Sequence, residues 1–199
     1  MTRSRVQGPK SRVRSGSLLL VSGGARSGKS RYALSRAAAL GGPVLYVATG
    51  MATDEEMAER IARHRAERPP TWQTLEASQE VAVAIKLAAA PGTTLLVEDL
   101  ATLVSNLIVT AKADESRVIG EVDQLVHLAQ EGFGLILVTN EVGLGLVPPS
   151  PLGRRFRDLL GLVNQRVADA ADEFVLVISG APLALKQPGR ADLFRQTGR

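Results

Sequence analysis

The residues Gly23-Gly24-Ala25-Arg26-Ser27-Gly28-Lys29-Ser30 satisfy the pattern G-x-x-x-x-G-K-[ST]. Glycines at these places let main-chain N–H groups turn inward around an anion, and the helix opening at Lys29 adds its positive dipole end. Lys29 supplies a mobile cation for β- and γ-phosphates, and the Ser30 hydroxyl can join a magnesium ion that bridges them. Such a site also needs an acid near the metal, normally at the end of a neighbouring strand. Glu98 and Asp99 follow the apolar run Leu95-Leu96-Val97, so either can hold the metal through water or meet a substrate hydroxyl.

A second group of chemistry-bearing residues lies in the segment from Asp54 to Glu76. Here His64 stands among Arg60, Arg63, Arg65 and Arg68, and on a helix Arg60 and His64, four apart, share a face. Nearby positive charge favours the neutral imidazole, the form with a lone pair for attack on phosphorus, and the same guanidiniums can hold the phosphates under attack. On composition alone, a solvated surface histidine in an arginine-rich helix is the plainer reading. Trp72 either packs under the Pro69-Pro70 turn or stacks on a base. His127 has no charged cluster of this kind and reads as packing or surface. Asn140 and Glu141, at the end of another apolar run, either touch a ligand or shape a loop, and Gly143 and Gly145 shape that loop.

The elements that must position these residues alternate between strand and helix. Leu18 to Val21, Val44 to Ala48, Thr93 to Val97, Leu135 to Val138 and Phe174 to Ile178 are continuous apolar runs, as expected of strands buried on both faces. Between them the spacing predicts helices over Ser30 to Leu40, Glu80 to Ala90, a stretch from Leu100 through Ile108, Arg117 to Gln130 and Leu152 to Ala170. In the last of these Phe156, Leu159, Leu160, Val163 and Val167 face inward. A further helix opens at the capping-box spacing Thr53-Asp54-Glu55-Glu56, carries Met57 and Ile61 inward, and stops before Pro69-Pro70. No internal repeat is visible.

Composition bounds the function classes. The chain has 199 residues, 45% hydrophobic and 22% charged, enough for one α/β domain. The absence of cysteine excludes disulfides, thiolate nucleophiles and Cys-ligated metals, and two histidines make a His-rich metal site implausible. No apolar run reaches membrane-span length, and the start lacks a signal-peptide pattern, so a cytoplasmic protein is expected. The net charge of +4 is unevenly spread: Arg3, Arg5, Lys10, Arg12 and Arg14 give residues 1–16 a charge of +5, and the remainder carries −1. The expected organisation is a disordered basic arm over 1–16, one domain over 17–186 and a polar tail over 187–199. A DNA- or RNA-coupled ATPase needs a basic face on the globular body, which the −1 balance does not supply.

Several segments together resemble the bifunctional adenosylcobinamide kinase/adenosylcobinamide-phosphate guanylyltransferase family of cobalamin biosynthesis. They are Gly23 to Arg31, Val44 to Thr49, Met57 to Trp72 with its Arg-Ile-x-x-His core, Leu95 to Leu107 and Val138 to Pro148. Phe156-Arg157-Asp158, Gly161, Asn164-Gln165-Arg166, Ala171-Asp172-Glu173 and Val177 to Gly180 complete the set. The fold expected is an α/β P-loop NTPase (RecA-like) three-layer sandwich with a mainly parallel central sheet. The resemblance implies two reactions at one nucleotide site. In one, the γ-phosphate of ATP or GTP goes to the aminopropanol hydroxyl of adenosylcobinamide. In the other, a histidine matching His64 attacks the α-phosphorus of GTP, expels pyrophosphate and passes GMP to adenosylcobinamide phosphate. Lys29 and Glu98 join His64 as catalytic residues, with Ser30 and Glu98 on Mg2+. Gly23 to Ser30, Thr49, Gly50, Arg65, Ala66, Glu67, Arg68, Glu76 and Glu98 are implied nucleotide contacts. Glu98 falls where many relatives have Asp, and Asp99 where they often have Cys. Family members assemble as trimers, which the resemblance implies here. The alternative is a simple P-loop small-molecule kinase in which His64 and its arginines only hold phosphate.

Overall fold

The computed structural model describes residues 15–51, 55, 59, 62, 65–66 and 68–188. The elements are β1 (Leu18–Gly23), α1 (Lys29–Ala38), β2 (Val44–Ala48), β3 (Gln73–Glu76), α2 (Val81–Ala88), β4 (Thr94–Glu98) and α3 (Leu100–Val109). They continue with α4 (Glu115–Gln130), β5 (Gly134–Val138), α5 (Pro151–Ala170), β6 (Glu173–Ile178) and β7 (Ala181–Lys186). The strands form one sheet in the order β3-β2-β4-β5-β1-β6-β7. All neighbours pair in parallel except β6 with β7.

The apolar runs become strands because both faces of the sheet are covered. On one face, Leu18, Leu20, Leu45, Val47, Leu95, Val97, Leu135 and Leu137 pack under α2 to α5. On the other, Leu19, Val21, Tyr46, Leu96, Ile136, Val138 and Val175 pack with Ala33 and Ala37 of α1. Alternate residues of each strand therefore feed two separate cores, giving three layers. Helix starts are set by side-chain caps: Asp99 accepts from the Thr102 N–H at 2.7 Å, Asp114 from Arg117 at 2.9 Å and Ser150 from Gly153 at 3.1 Å. In α5, Leu159, Leu160, Val163 and Val167 are buried and Phe156 is half-buried against the same core, the stripe read from spacing.

Two strands escaped the sequence reading. β3 is an edge strand in which only Leu75 is half-buried, and β7 is an antiparallel edge strand containing Pro182. Neither has the continuous apolar run used to find the others, and Pro is tolerated at an edge because one side of the strand has no ladder to feed. At the amino end, Ser15 and Gly16 bond to Gly132 and Phe133, so the last two residues of the expected arm belong to the fold. Residues 1–14 and 189–199 lie outside the described residues. In the segment after β2, Glu55, Glu59, Ala62, Arg65 and Ala66 are helical, as read. Thr53, Met57, Arg60, Ile61, Arg63, His64 and Glu67 lie outside the described residues.

Candidate active site

The carboxyl ends of the parallel strands converge on the loop that leaves β1. Gly28 caps α1 with φ +93°, a conformation that a side chain disfavours. At Gly23 a Cβ would stand 2.5 Å from Ser27 Oγ and 2.6 Å from the Val177 carbonyl, so the turn closes only on glycine. Lys29 is buried and its Nζ donates to the Gly24 carbonyl at 3.3 Å, which folds the ammonium back over the loop. Gly24, Ala25 and Arg26 are exposed and Ser30 is half-exposed. The Ser27 hydroxyl is buried without a protein partner among the described residues, a vacant donor in a loop built for anions. From the far side, the Gly180 N–H donates to the Ser27 carbonyl at 2.8 Å, so the β6–β7 turn backs the loop.

Beside the loop, the ends of β5, β4 and β2 are tied into one polar network. Glu141 accepts from Ser22 Oγ at 2.7 Å, and its own N–H donates to the Gly23 carbonyl at 3.3 Å. Asn164 of α5 donates to the Asn140 carbonyl at 3.0 Å and to Glu141 Oε1 at 3.4 Å, and accepts from Thr139 Oγ1 at 2.6 Å. Asn140 Nδ2 donates to Asp99 Oδ2 at 3.0 Å. With Oδ1 on Thr102, Asp99 has both carboxylate oxygens in use. The Glu98–Asp99 peptide is cis.

Glu98, half-buried at the end of β4, accepts from the Tyr46 hydroxyl at 3.2 Å. Burial, and then the Glu98 carboxylate beside it, pushes the Tyr46 phenol well above its ordinary pKa, so it remains a donor. The guanidinium of Arg68 lies over the Tyr46 ring, 3.5 Å from its centre, and donates to Thr74 Oγ1 at 3.3 Å. Arg65 pairs with Glu76. These contacts hold the described neighbours of His64 against β2 and β3, on the same side of the sheet as the loop.

The structure thus brings together Gly23 to Ser30, Gly50, Glu98, Arg68 and Glu76 along one edge. Arg65 and Ala66 are exposed beside them, whereas His64 and Glu67 are among the residues outside the described set. Thr49, read as a nucleotide contact, is fully buried and its polar groups serve the fold. Its hydroxyl binds the Asp99 main chain, its N–H the Glu98 carbonyl and its carbonyl Asn106. Trp72 packs half-buried against the α1-side core. His127 is a surface residue 3.7 Å from Glu131. It lines an open cleft with Ala82, Val83, Lys86, Asp123 and Gln124, between α2 and α4 and away from the loop.

The model of the cobinamide kinase/cobinamide phosphate guanyltransferase family matches residues 19–185. The chain belongs to this family. It is 41% identical over 183 residues to the "Bifunctional adenosylcobalamin biosynthesis protein CobU" of Escherichia coli (strain K12), which covers 85% of this chain and 99% of that protein. To the "Bifunctional adenosylcobalamin biosynthesis protein CobP" of Pseudomonas aeruginosa it is 42% identical over 168 residues, covering 84% of this chain and 96% of that one. A solved protein of Pyrococcus horikoshii OT3 superposes with a TM-score of 0.50 at 11% identity, over 91% of this chain and 95% of that one, a likeness of fold alone. Membership makes the chain an enzyme of the kinase and guanyltransferase family on a P-loop α/β fold, as the resemblance implied. Among the described residues, no helix is long and apolar enough to cross a membrane.

Proposed function

We propose that this family member carries out both reactions at one nucleotide site. It moves the γ-phosphoryl group of ATP or GTP to the aminopropanol hydroxyl of adenosylcobinamide. It then takes GMP from GTP onto His64, releases pyrophosphate, and passes GMP to adenosylcobinamide phosphate to give adenosylcobinamide-GDP. The observation that carries the reading is one of placement. A buried Lys29 lies over a formed phosphate loop, and Arg65 and Arg68, which flank His64 in sequence, are fastened to the same strand ends by Glu76 and Tyr46.

The loop N–H groups and Lys29 bind the triphosphate, and the Ser27 hydroxyl, without a partner among the described residues, is available to it. Magnesium fits the donor set, because Ser30 and Glu98 offer hard oxygens and this ion needs few protein ligands when phosphates and water complete its shell. Bound there, it would neutralise charge on the β- and γ-oxygens. A neutral His64 supplies the lone pair for the α-phosphorus, and covalent capture divides nucleotidyl transfer into two steps. Arg65 and Arg68 oppose the charge that develops on phosphorus and pyrophosphate. Thr49 acts as a positioning residue, holding the Glu98–Asp99 corner by its hydroxyl.

We further propose that residues 17–186, with Ser15 and Gly16 fastened to them, act as one domain, with the rest of the basic arm and the polar tail as appendages. The enzyme works in the cytoplasm, without nucleic acid, as a homotrimer, and light scattering at three chain masses tests the assembly. For the chemistry, GTP labelled in its α-phosphate should leave a denaturation-stable label on the wild type and none on His64→Ala. GTP labelled in its γ-phosphate should label adenosylcobinamide with either protein. A label that persists on His64→Ala removes the covalent assignment. A wild type that phosphorylates but takes no α-label is the single-activity kinase.

A further inference from the structure

We propose that Glu141 is a catalytic residue of the phosphoryl-transfer step, touching the acceptor hydroxyl and taking its proton; this rests on the kinase reading above. Three acids stand at the ends of β4 and β5, the strands nearest the loop strand on that side, and the structure separates their duties. Asp99 spends one oxygen on the Thr102 N–H and the other on Asn140. Glu98 accepts from Tyr46 and lies at the end of β4, which is separated from the loop strand by β5. Glu141 leaves the end of β5 itself, between β4 and β1.

Its attachment to the loop is direct. The Glu141 N–H donates to the Gly23 carbonyl at 3.3 Å, and Lys29 Nζ donates to the next carbonyl, Gly24, also at 3.3 Å. The Glu141 main chain and the Lys29 ammonium are thereby anchored on consecutive residues of the phosphate cradle. One carboxylate oxygen, Oε1, is fixed by the fully buried Ser22 hydroxyl at 2.7 Å and by Asn164 at 3.4 Å. Asn164 is in turn pinned by Thr139 and by the Asn140 carbonyl. The other oxygen, Oε2, has no hydrogen-bond partner among the described residues, and Glu141 is half-exposed at the site. A carboxylate oriented through one oxygen and open at the other is suited to receive a proton.

In the step, a bond forms from the acceptor oxygen to the γ-phosphorus as the bond from phosphorus to the β,γ-bridging oxygen breaks. The nucleoside diphosphate leaves with that electron pair, and the hydroxyl proton passes to Glu141 Oε2. Guanylylation has no such requirement, since an imidazole lone pair has no hydroxyl proton to lose.

Glu141→Gln keeps an acceptor oxygen for Ser22 and Asn164 and removes only the proton-accepting capacity. Phosphorylation of adenosylcobinamide should fall by about 10²–10³-fold in kcat, with the nucleotide KM within about threefold of wild type. The same variant should still take the α-phosphate label from GTP. Ser22→Ala, which leaves Oε1 less constrained, should lower the kinase kcat by about tenfold. A Glu141→Gln enzyme whose kinase kcat stays within about threefold of wild type overturns the assignment. So does one that loses both activities together, because that is the mark of a brace alone. A wild type that transfers no γ-phosphate to adenosylcobinamide overturns the kinase reading beneath it, and the two failures are told apart by that control.

Discussion

Along β1 and α1, which flank the phosphate loop, the contacts run into the sheet: Glu141 reaches the buried Ser22 hydroxyl, Gly180 backs the Ser27 carbonyl, and at the far end of α1 Arg36 grips Glu173 at the start of β6 through bonds of 2.7 and 2.8 Å. Around the arginine segment they lie at the surface. Arg65 and Glu76 each leave 61% of their side chains exposed, and Arg68 is held by the Tyr46 ring and one bond to Thr74. The first region shares its contacts with the sheet core, so damage to its supports should reach folding and both reactions, whereas Glu141→Gln, which keeps an acceptor for Ser22, should touch phosphorylation alone. The second hangs on local contacts, so damage there should reach one reaction and spare stability.

Five substitutions at four positions sharpen or break this contrast, in descending order of effect. Lys29→Ala should cut phosphorylation and guanylylation alike, by roughly 10²–10³-fold each, since both draw on the same cradle. Steady-state rates with each labelled GTP measure it, and a variant impaired in only one reaction would mean two separate nucleotide sites. Arg36→Ala leaves Glu173 buried without its partner and should destabilise the fold by about 3–5 kcal/mol, read from urea unfolding. The Arg36 guanidinium is held above its ordinary pKa, because its bonds to Glu173 and Tyr32 outweigh the burial that opposes its charge. Its pair therefore persists across the basic range.

Tyr46→Phe removes the bond to Glu98 but keeps the ring beneath Arg68, and should cost about 1 kcal/mol in thermal unfolding while uptake of the α-phosphate label continues. Tyr46→Leu removes the platform as well and should slow label uptake in addition. If the two variants matched in guanylylation, the stacked ring would not be what holds the segment. Glu76→Gln comes last, at about 1 kcal/mol or less, with a reduced guanylylation rate that high salt imitates in the wild type. An unfolding midpoint shifted as far as that of Arg36→Ala would end the contrast.

The legible parts of the sequence were those whose signal is local. β1, β2, β4 and β5 are continuous apolar runs, and the phosphate loop is a contiguous motif, so both emerged with boundaries within a residue or two. β3 and β7 did not, because an edge strand needs only one covered face and its partner lies elsewhere in the chain. Leu75 alone carries the inward signal of β3. The site divides in the same way. Glu141 was visible as a strand-end acid, yet its place against the loop depends on Ser22, 119 positions away, and Asn164, 23 away. No spacing rule reports such a meeting. Thr49 shows the converse: the resemblance names it for nucleotide, and its bonds to Asp99, Glu98 and Asn106 give it work in the scaffold.

The turn at Ser179 and Gly180 carries a consequence for biosynthesis. Both residues have positive φ, and Gly180 braces Ser27 from more than 150 positions downstream. On the ribosome, the triphosphate grip emerges long before its backing. A nascent chain halted at Ile178 would display the glycines without their support, so competence for nucleotide should appear abruptly once the turn at Ser179 and Gly180 has emerged.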